Sequence, residues 1–349
     1  MGKLQVYGTI GLLVKNMAKN THLKQVTASA PGKLMLSVGY AVVHGYPTVV
    51  TAVDQRLFAT VTKNGVDVFH LDAPDLGLTS YTKDMSDLGK KDLPKAVRFI
   101  EILYKNFLEK YPQKEGIIVT TKSDFSSTYG FGSSSAVTVA FAKALTTLYG
   151  VELSNQELFD FCYEAVTEVQ GVGSGYDLAA AIWGGTLYYV SPAKVVKPIA
   201  LEKMPLIIAY SGEKADTPTL IRLVDAKLGK NPEKIDTIFK RIATIAEEFG
   251  THAQQKNWKA IGNLFNESQE CARELGVSNN RLENLINAAL DAGAYGATSS
   301  GAAGGDCILA IAPKEAEKNV IEALEKINGK IIEVSIGAAG VTIEGEEYI

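Results

Sequence analysis

The segment Tyr129-Gly-Phe-Gly-Ser-Ser-Ser-Ala136 constrains this chain most. It follows a strand-like run, GIIVTTKSD, and opens a helical one, in which Val137, Ala140, Phe141, Ala144, Leu145 and Leu148 recur on one face. A strand that enters a helix through glycines and serines implies packed layers of mixed α and β structure. Glycines let a ligand approach the backbone, and a helix N-terminus offers unpaired N–H groups at its positive end, which together suit phosphate. The stretch lacks the Gly-Lys-Ser/Thr ending of a Walker A loop. Read alone, it fits a phosphate cradle or a small-residue turn with serine capping.

The rest of the chain continues the alternation. KQVTAS (24–29) and QRLFATVT (55–62) read as strands, separated by APGKLMLSVGYAVVHG with its Pro-Gly break. Asn64-Gly65 predicts a hairpin turn between two strands, since both residues accept positive φ. Leu93 to Tyr111 reads as an amphipathic helix. Ser154 with Glu157 forms a capping-box pattern ahead of another. Further helices are expected over 217–228, 233–249, 258–275, 279–292 and 314–327. The basic, Pro-containing stretch 191–203 marks a composition shift. The expected division is an extension over 1–23, read as disordered or as an alternative start, one domain over 24–200 and a second over 201–349.

Bulk properties narrow the function. The 349 residues carry 35 Lys and Arg against 39 Asp and Glu, a net charge of −4, which argues against nucleic acid as a partner. No apolar run is long enough to span a bilayer, and the N-terminus lacks the features of a signal peptide. Three widely spaced cysteines argue against a disulfide framework or a zinc site and fit a reducing, cytoplasmic setting. His22, His44, His70 and His252 are isolated and read as structural.

Two further small-residue segments carry candidate chemistry. Ser299-Ser-Gly-Ala-Ala-Gly-Gly-Asp-Cys307 precedes the strand ILAIA, and its glycines and alanines permit close approach or mere flexibility. Gly171-Val-Gly-Ser-Gly-Tyr-Asp177 passes into an apolar helix. Asp177 there is either an N-cap or a carboxylate aimed at a substrate, with Lys33 of Ala30-Pro-Gly-Lys33 as its candidate cation.

Taken in order, these segments resemble the GHMP kinases. APGKLMLSVGYAVVHG resembles the first motif of that superfamily, YGFGSSSAVTVA the second and GATSSGAAGGDCILAI the third. Within the superfamily, VQGVGSGYDLAAAIWGG and the GGDC sequence look most like phosphomevalonate kinases. Departures are Val38-Gly39 in place of Gly-Glu, Phe131 in place of leucine and Ala303 in place of glycine.

The resemblance implies an α+β, two-domain GHMP kinase fold: a ribosomal protein S5 domain 2-like N-terminal domain and a ferredoxin-like C-terminal domain. It implies ATP and Mg²⁺ as cofactors and a small phosphorylated molecule, 5-phosphomevalonate first, as the other substrate. Mevalonate, mevalonate 3-phosphate and sugars are alternatives. Diphosphomevalonate decarboxylation and a non-catalytic ligand sensor are alternatives of other classes. A homodimer stays open. ATP phosphates would lie on Gly130, Phe131, Gly132, Ser133, Ser134, Ser135 and Ala136. Ser134 would hold Mg²⁺, with Glu168 a weaker ligand candidate. Asp177 and Lys33 would be catalytic. Ser174, Gly175, Lys214, Thr217, Gly301, Ala302, Ala303 and Gly304 would line the substrate pocket, and Arg222 is a further candidate cation.

Overall fold

The computed structural model describes residues 23–90, 92–201 and 203–349. The expected N-terminal extension therefore lies, but for Leu23, outside the described residues. Two sheets organise the chain. The larger has eight strands and begins with β1 (Leu23–Met35) and β2 (Thr48–Lys63). These are followed by β3 (Val68–Ala73), β4 (Leu78–Asp84) and β5 (Ile117–Ser123). β6 (Thr186–Val190) pairs with β2 and with β7 (Val195–Ile199). The smaller sheet has four strands, β8 (Leu206–Tyr210), β9 (Gly296–Ser299), β10 (Cys307–Ile311) and β11 (Lys330–Ile331), in the order β11-β8-β10-β9. The mixed, two-sheet architecture is the expected α+β one.

The last strand, β12 (Thr342–Tyr348), returns to pair with β1. The chain beyond residue 200 thus contributes to both sheets, because the edge of β1 offers unpaired N–H and C=O groups that a final strand satisfies.

Nine α-helices lie among the described residues. α1 (Arg98–Lys110), α2 (Ser133–Leu148), α3 (Asn155–Gln170) and α4 (Tyr176–Trp183) accompany the large sheet. α5 (Thr217–Lys230), α6 (Pro232–Gln254), α7 (Trp258–Leu275), α8 (Asn280–Asp291) and α9 (Lys314–Lys326) follow. α2 lies on β1 and β2 and buries Val139, Ala140, Phe141, Ala144, Leu145 and Leu148, all but one of them on the apolar face read from the sequence. The Ser154 capping box forms as expected, with Ser154 Oγ accepting from Glu157 N and Glu157 Oε2 accepting from Ser154 N.

Two expectations change. The Ala30-Pro-Gly break is no break: β1 runs through it, and the register against β2 shifts between Pro31 and Gly32. Proline lacks the N–H for a ladder bond, and the shift absorbs that loss within one strand. Asn64-Gly65 does make a turn, with Gly65 at φ +72°, but β2 and β3 do not pair. β5 lies between them, antiparallel to β2 and parallel to β3. Gly116 makes this insertion possible, because a Cβ there would stand 2.0 Å from the Val68 carbonyl oxygen.

Candidate active site

The three motifs converge where β1, the start of α2 and the β9–β10 loop meet. α2 begins at Gly132, which is at φ +73° and gives no side-chain cap. The N–H groups of its first turn, at Ser133, Ser134 and Ser135, carry the helix's positive end without a capping oxygen. A Cβ on Gly132 would lie 3.0 Å from Lys33 Cε and 3.6 Å from Asp177 Oδ1. The missing side chain therefore brings the helix end against those two residues.

Lys33 lies on β1 and is 8% exposed. Its Nζ stands 3.1 Å from Asp177 Oδ1 and donates to the Gly130 carbonyl at 2.9 Å. Its backbone N–H donates to the Phe131 carbonyl at 3.0 Å. Burial by itself would lower the Lys33 pKa. Asp177, Tyr176 and Asp306 outweigh it and hold the ammonium well above its ordinary value. Lys33 is thus a fixed cation at working pH. Asp177 is the second residue of α4, whose N-cap is Gly175, so the carboxylate is free of capping duty and faces Lys33. Oδ1 is shielded from solvent and makes no aligned hydrogen bond, while the side chain as a whole is 31% exposed. That leaves Oδ2 as the oxygen open to a ligand.

The third motif is stitched to the first. Gly39 N–H donates to the Gly301 carbonyl, Tyr40 Oη donates to the Ala302 carbonyl at 2.5 Å, and Ser300 Oγ donates to the Met35 carbonyl. Ala303 is buried at φ +55°. Gly304 packs on Leu220, which a Cβ would meet at 2.5 Å. The second and third motifs meet as well. Cys307 Sγ lies 3.3 Å from the Tyr129 carbonyl, and Asp306 Oδ2 would be 2.6 Å from a Cβ on Gly130.

Other candidates have definite places. Phe131 is buried between Phe125 and Tyr129, so it contributes its carbonyl and not its ring to the site. Ser135 and Ala136 are buried beneath the helix start, and Ser133 and Ser134 are half-buried. Ser174 is buried and its carbonyl accepts from Tyr189 Oη. Gly175, at φ +76°, packs so closely that a Cβ would meet the Phe159 ring at 2.7 Å. Lys214 donates to the Ser127 carbonyl at 2.8 Å, which ties the β8 loop to the phosphate-loop segment. Thr217 begins α5 on the surface, and Arg222 donates to Thr219 Oγ1. Glu168 lies on α3, its two oxygens bonded to Lys105 Nζ at 2.6 Å and Asn106 Nδ2 at 3.1 Å. Burial alone would raise its pKa, but those two partners hold it below the ordinary value. No described contact joins Glu168 to Ser134 or Asp177. His44 pairs with Asp225 and stacks on Phe239, and His70 bonds Asp72, as structural histidines do.

Two residues of the site were not singled out from the sequence. Asp306, at φ +59°, accepts from Ala215 N with Oδ1. Burial raises its pKa against the lowering by Ala215 N–H, Lys33 and Lys214. Tyr176 places its ring 5.2 Å from Lys33 Nζ. The sequence signal for both was adjacency, to Cys307 and to Asp177.

The arrangement suits a polyphosphate and a hard divalent cation. An uncapped helix N-terminus and a buried ammonium bind anionic oxygens. Among the described residues no group of three or more His, Cys, Asp or Glu gathers as a metal site. A cation here would rest on one or two protein oxygens, Ser134 Oγ and Asp177 Oδ2 being the available ones, and on the phosphates themselves. That is the manner of Mg²⁺ and not of a protein-caged metal. Among the described residues no helix is long and apolar enough to cross a membrane.

Comparison with known proteins agrees with this geometry. Residues 96–185 match the family described as GHMP kinases N terminal domain, and residues 245–330 the one described as GHMP kinases C terminal. A protein named mevalonate kinase from Thermococcus sibiricus is 30% identical over 333 residues, 92% of this chain and 98% of that protein. The crystal structure of Methanococcus jannaschii mevalonate kinase superposes with a TM-score of 0.76 at 24% identity, over 91% of this chain and 99% of that one. The Streptococcus pneumoniae phosphomevalonate kinase shares the fold with a TM-score of 0.71 at 14% identity, over 90% and 99%.

Proposed function

This chain belongs to the GHMP kinase superfamily, and we propose that it transfers the γ-phosphoryl group of Mg-ATP to the primary hydroxyl of mevalonate. The observation that carries the reading is the Lys33–Asp177 pair, 3.1 Å apart, set against the uncapped start of α2 through Gly132. An alcohol acceptor requires a base, whereas a phosphate acceptor is already ionised near neutral pH (its second pKa is about 6). Asp177 is placed to accept the hydroxyl proton through Oδ2. Phosphoryl transfer otherwise needs positioning and charge neutralisation. The N–H groups of Ser133 to Ser135 hold the phosphates, and the Lys33 ammonium neutralises charge that develops on the transferring oxygens. Ser134 is the residue that would hold Mg²⁺, which would supply charge neutralisation on the phosphates, while Asp177 Oδ2 is kept for the acceptor hydroxyl.

The relatives shift the acceptor from the one first expected. The extended likeness is to proteins named mevalonate kinase, and the phosphomevalonate kinase likeness is one of fold. Lys214, expected to receive a substrate phosphate, is already bonded to Ser127, and Lys330 Nζ is bonded to Tyr129 Oη at 2.6 Å. One observation keeps 5-phosphomevalonate as a second reading: the Gly-Ser-Gly-Tyr-Asp sequence at 173–177 resembles that of phosphomevalonate kinases. The test is ADP release with Mg-ATP and either mevalonate or 5-phosphomevalonate, with the product identified by mass. Saturable turnover on mevalonate, giving the monophosphate, supports the first reading. Turnover confined to 5-phosphomevalonate overturns it in favour of the second.

A further inference from the structure

Tyr176 lies against the Lys33–Asp177 pair. It opens α4 immediately before Asp177. Its ring stands under the Lys33 ammonium, 5.2 Å from centroid to Nζ, a cation–π contact made alongside the lysine's contacts with Gly130 and Asp177. The ring continues toward the third motif. A side chain on Gly301 would begin 4.0 Å from Tyr176 Oη, and Gly301, at φ +67°, has none. The hydroxyl therefore reaches the space between the first and third motifs, where Tyr40 Oη is already committed to the Ala302 carbonyl. The residue is half-buried.

We infer that Tyr176 contacts the phosphoryl acceptor, its hydroxyl donating a hydrogen bond to an acceptor oxygen other than the one that is phosphorylated. The inference rests on the reading that the acceptor binds at Asp177. Lys33 and Asp177 serve the reacting oxygen, and the hydroxyl of Tyr176, one residue earlier on the helix, lies near Lys33 and also reaches toward Gly301. An acceptor with several oxygens, such as a hydroxy acid, spans that distance. A tyrosine hydroxyl ordinarily titrates at about 10, so it keeps its proton and acts as a donor across the physiological range. A bond to a non-reacting oxygen forms equally in the ground and transition states, so it acts on binding and not on the chemical step.

The test compares wild type with Tyr176→Phe and Tyr176→Leu, measuring kcat, KM for each substrate and melting temperature. Tyr176→Phe keeps the ring under Lys33 and removes the hydroxyl. The expected result is an acceptor KM raised about threefold to tenfold, the worth of one neutral hydrogen bond, with kcat, the KM for ATP and the melting temperature held. Tyr176→Leu removes the ring as well and should lower kcat in addition, because Lys33 loses its wall. An unchanged acceptor KM in Tyr176→Phe overturns the inference, as does an equal rise in KM for ATP and acceptor. The wild-type control separates the two claims. Turnover on neither mevalonate nor 5-phosphomevalonate sinks the functional reading and this inference together. Turnover on one of them, with Tyr176→Phe unaltered, sinks the inference alone.

Discussion

Asp177→Asn tests the site most directly, because one substitution changes rate and stability in distinguishable ways. The amide keeps the shape and removes the charge facing Lys33. A base abstracting a hydroxyl proton contributes about 10²–10⁴ in rate, so kcat should fall by that factor while the KM for ATP changes little. The stability effect comes from Lys33, buried at 8% exposure with its principal counter-charge 3.1 Å away. Removing one partner of a fully buried pair costs about 3–5 kcal/mol. Asp177 is 31% exposed, and the Gly130 carbonyl and Tyr176 ring remain, so about 1–3 kcal/mol is expected after allowing for solvent screening.

The pH dependence has a definite sign. In the wild type the Lys33 pKa is raised above its ordinary 10.5, so its contribution is fully present below that value and is lost as pH rises through the folded-state pKa. Without Asp177 the main raising influence is gone and burial lowers the pKa instead. The unfolded chain then binds the proton more readily than the folded one, and the variant's deficit shrinks as pH rises toward 10.5. Urea unfolding at pH 7 and pH 9.5, paired with initial rates, measures both effects. Turnover within tenfold of wild type would refute the base assignment. A deficit that stays constant or grows between the two pH values would refute the account of Lys33.

Further outcomes follow from the same geometry. Lys33→Met should reduce kcat more than it weakens ATP binding, because the ammonium acts on charge that develops during transfer, and single-turnover rates separate the two. Gly132→Ala should weaken ATP binding and lower stability by about 1–2 kcal/mol, the cost of a left-handed non-glycine residue, as its Cβ presses on Lys33 Cε; nucleotide titration and thermal melting check this. Glu101→Gln serves as a distant control. That carboxylate is fully buried and accepts from Lys83 Nζ at 2.6 Å, Tyr81 Oη at 2.7 Å and Gly89 N at 2.7 Å. Its loss should destabilise the protein by about 1–3 kcal/mol, read by urea unfolding, while kcat at 25 °C stays unchanged.

Local chemistry was readable in the linear chain because it depends on neighbours in sequence. The helical periodicity of 133–148, the Ser154–Glu157 cap and the glycine that starts α2 each involve residues within a few positions of one another. The ordered motifs likewise reported the superfamily, since each is a short backbone conformation that needs small residues. Partner choice across the fold was not readable. The turn at Asn64-Gly65 is where the sequence puts it, yet whether its two flanking strands pair depended on Gly116, some fifty positions on, admitting β5 between them. In sequence, Asp177 read more readily as an N-cap than as the partner of Lys33. It became a partner because Gly175 took the cap position and β1 brought Lys33 within 3.1 Å. Glu168 went to Lys105 and Asn106, while Asp306 and Tyr176 entered the site, each decided by which distant element packed beside it. Short-range conformational preferences are encoded residue by residue. The pairing of charges far apart in the chain, such as Lys33 with Asp177, follows from the packing of whole elements, and packing is what the tertiary structure adds.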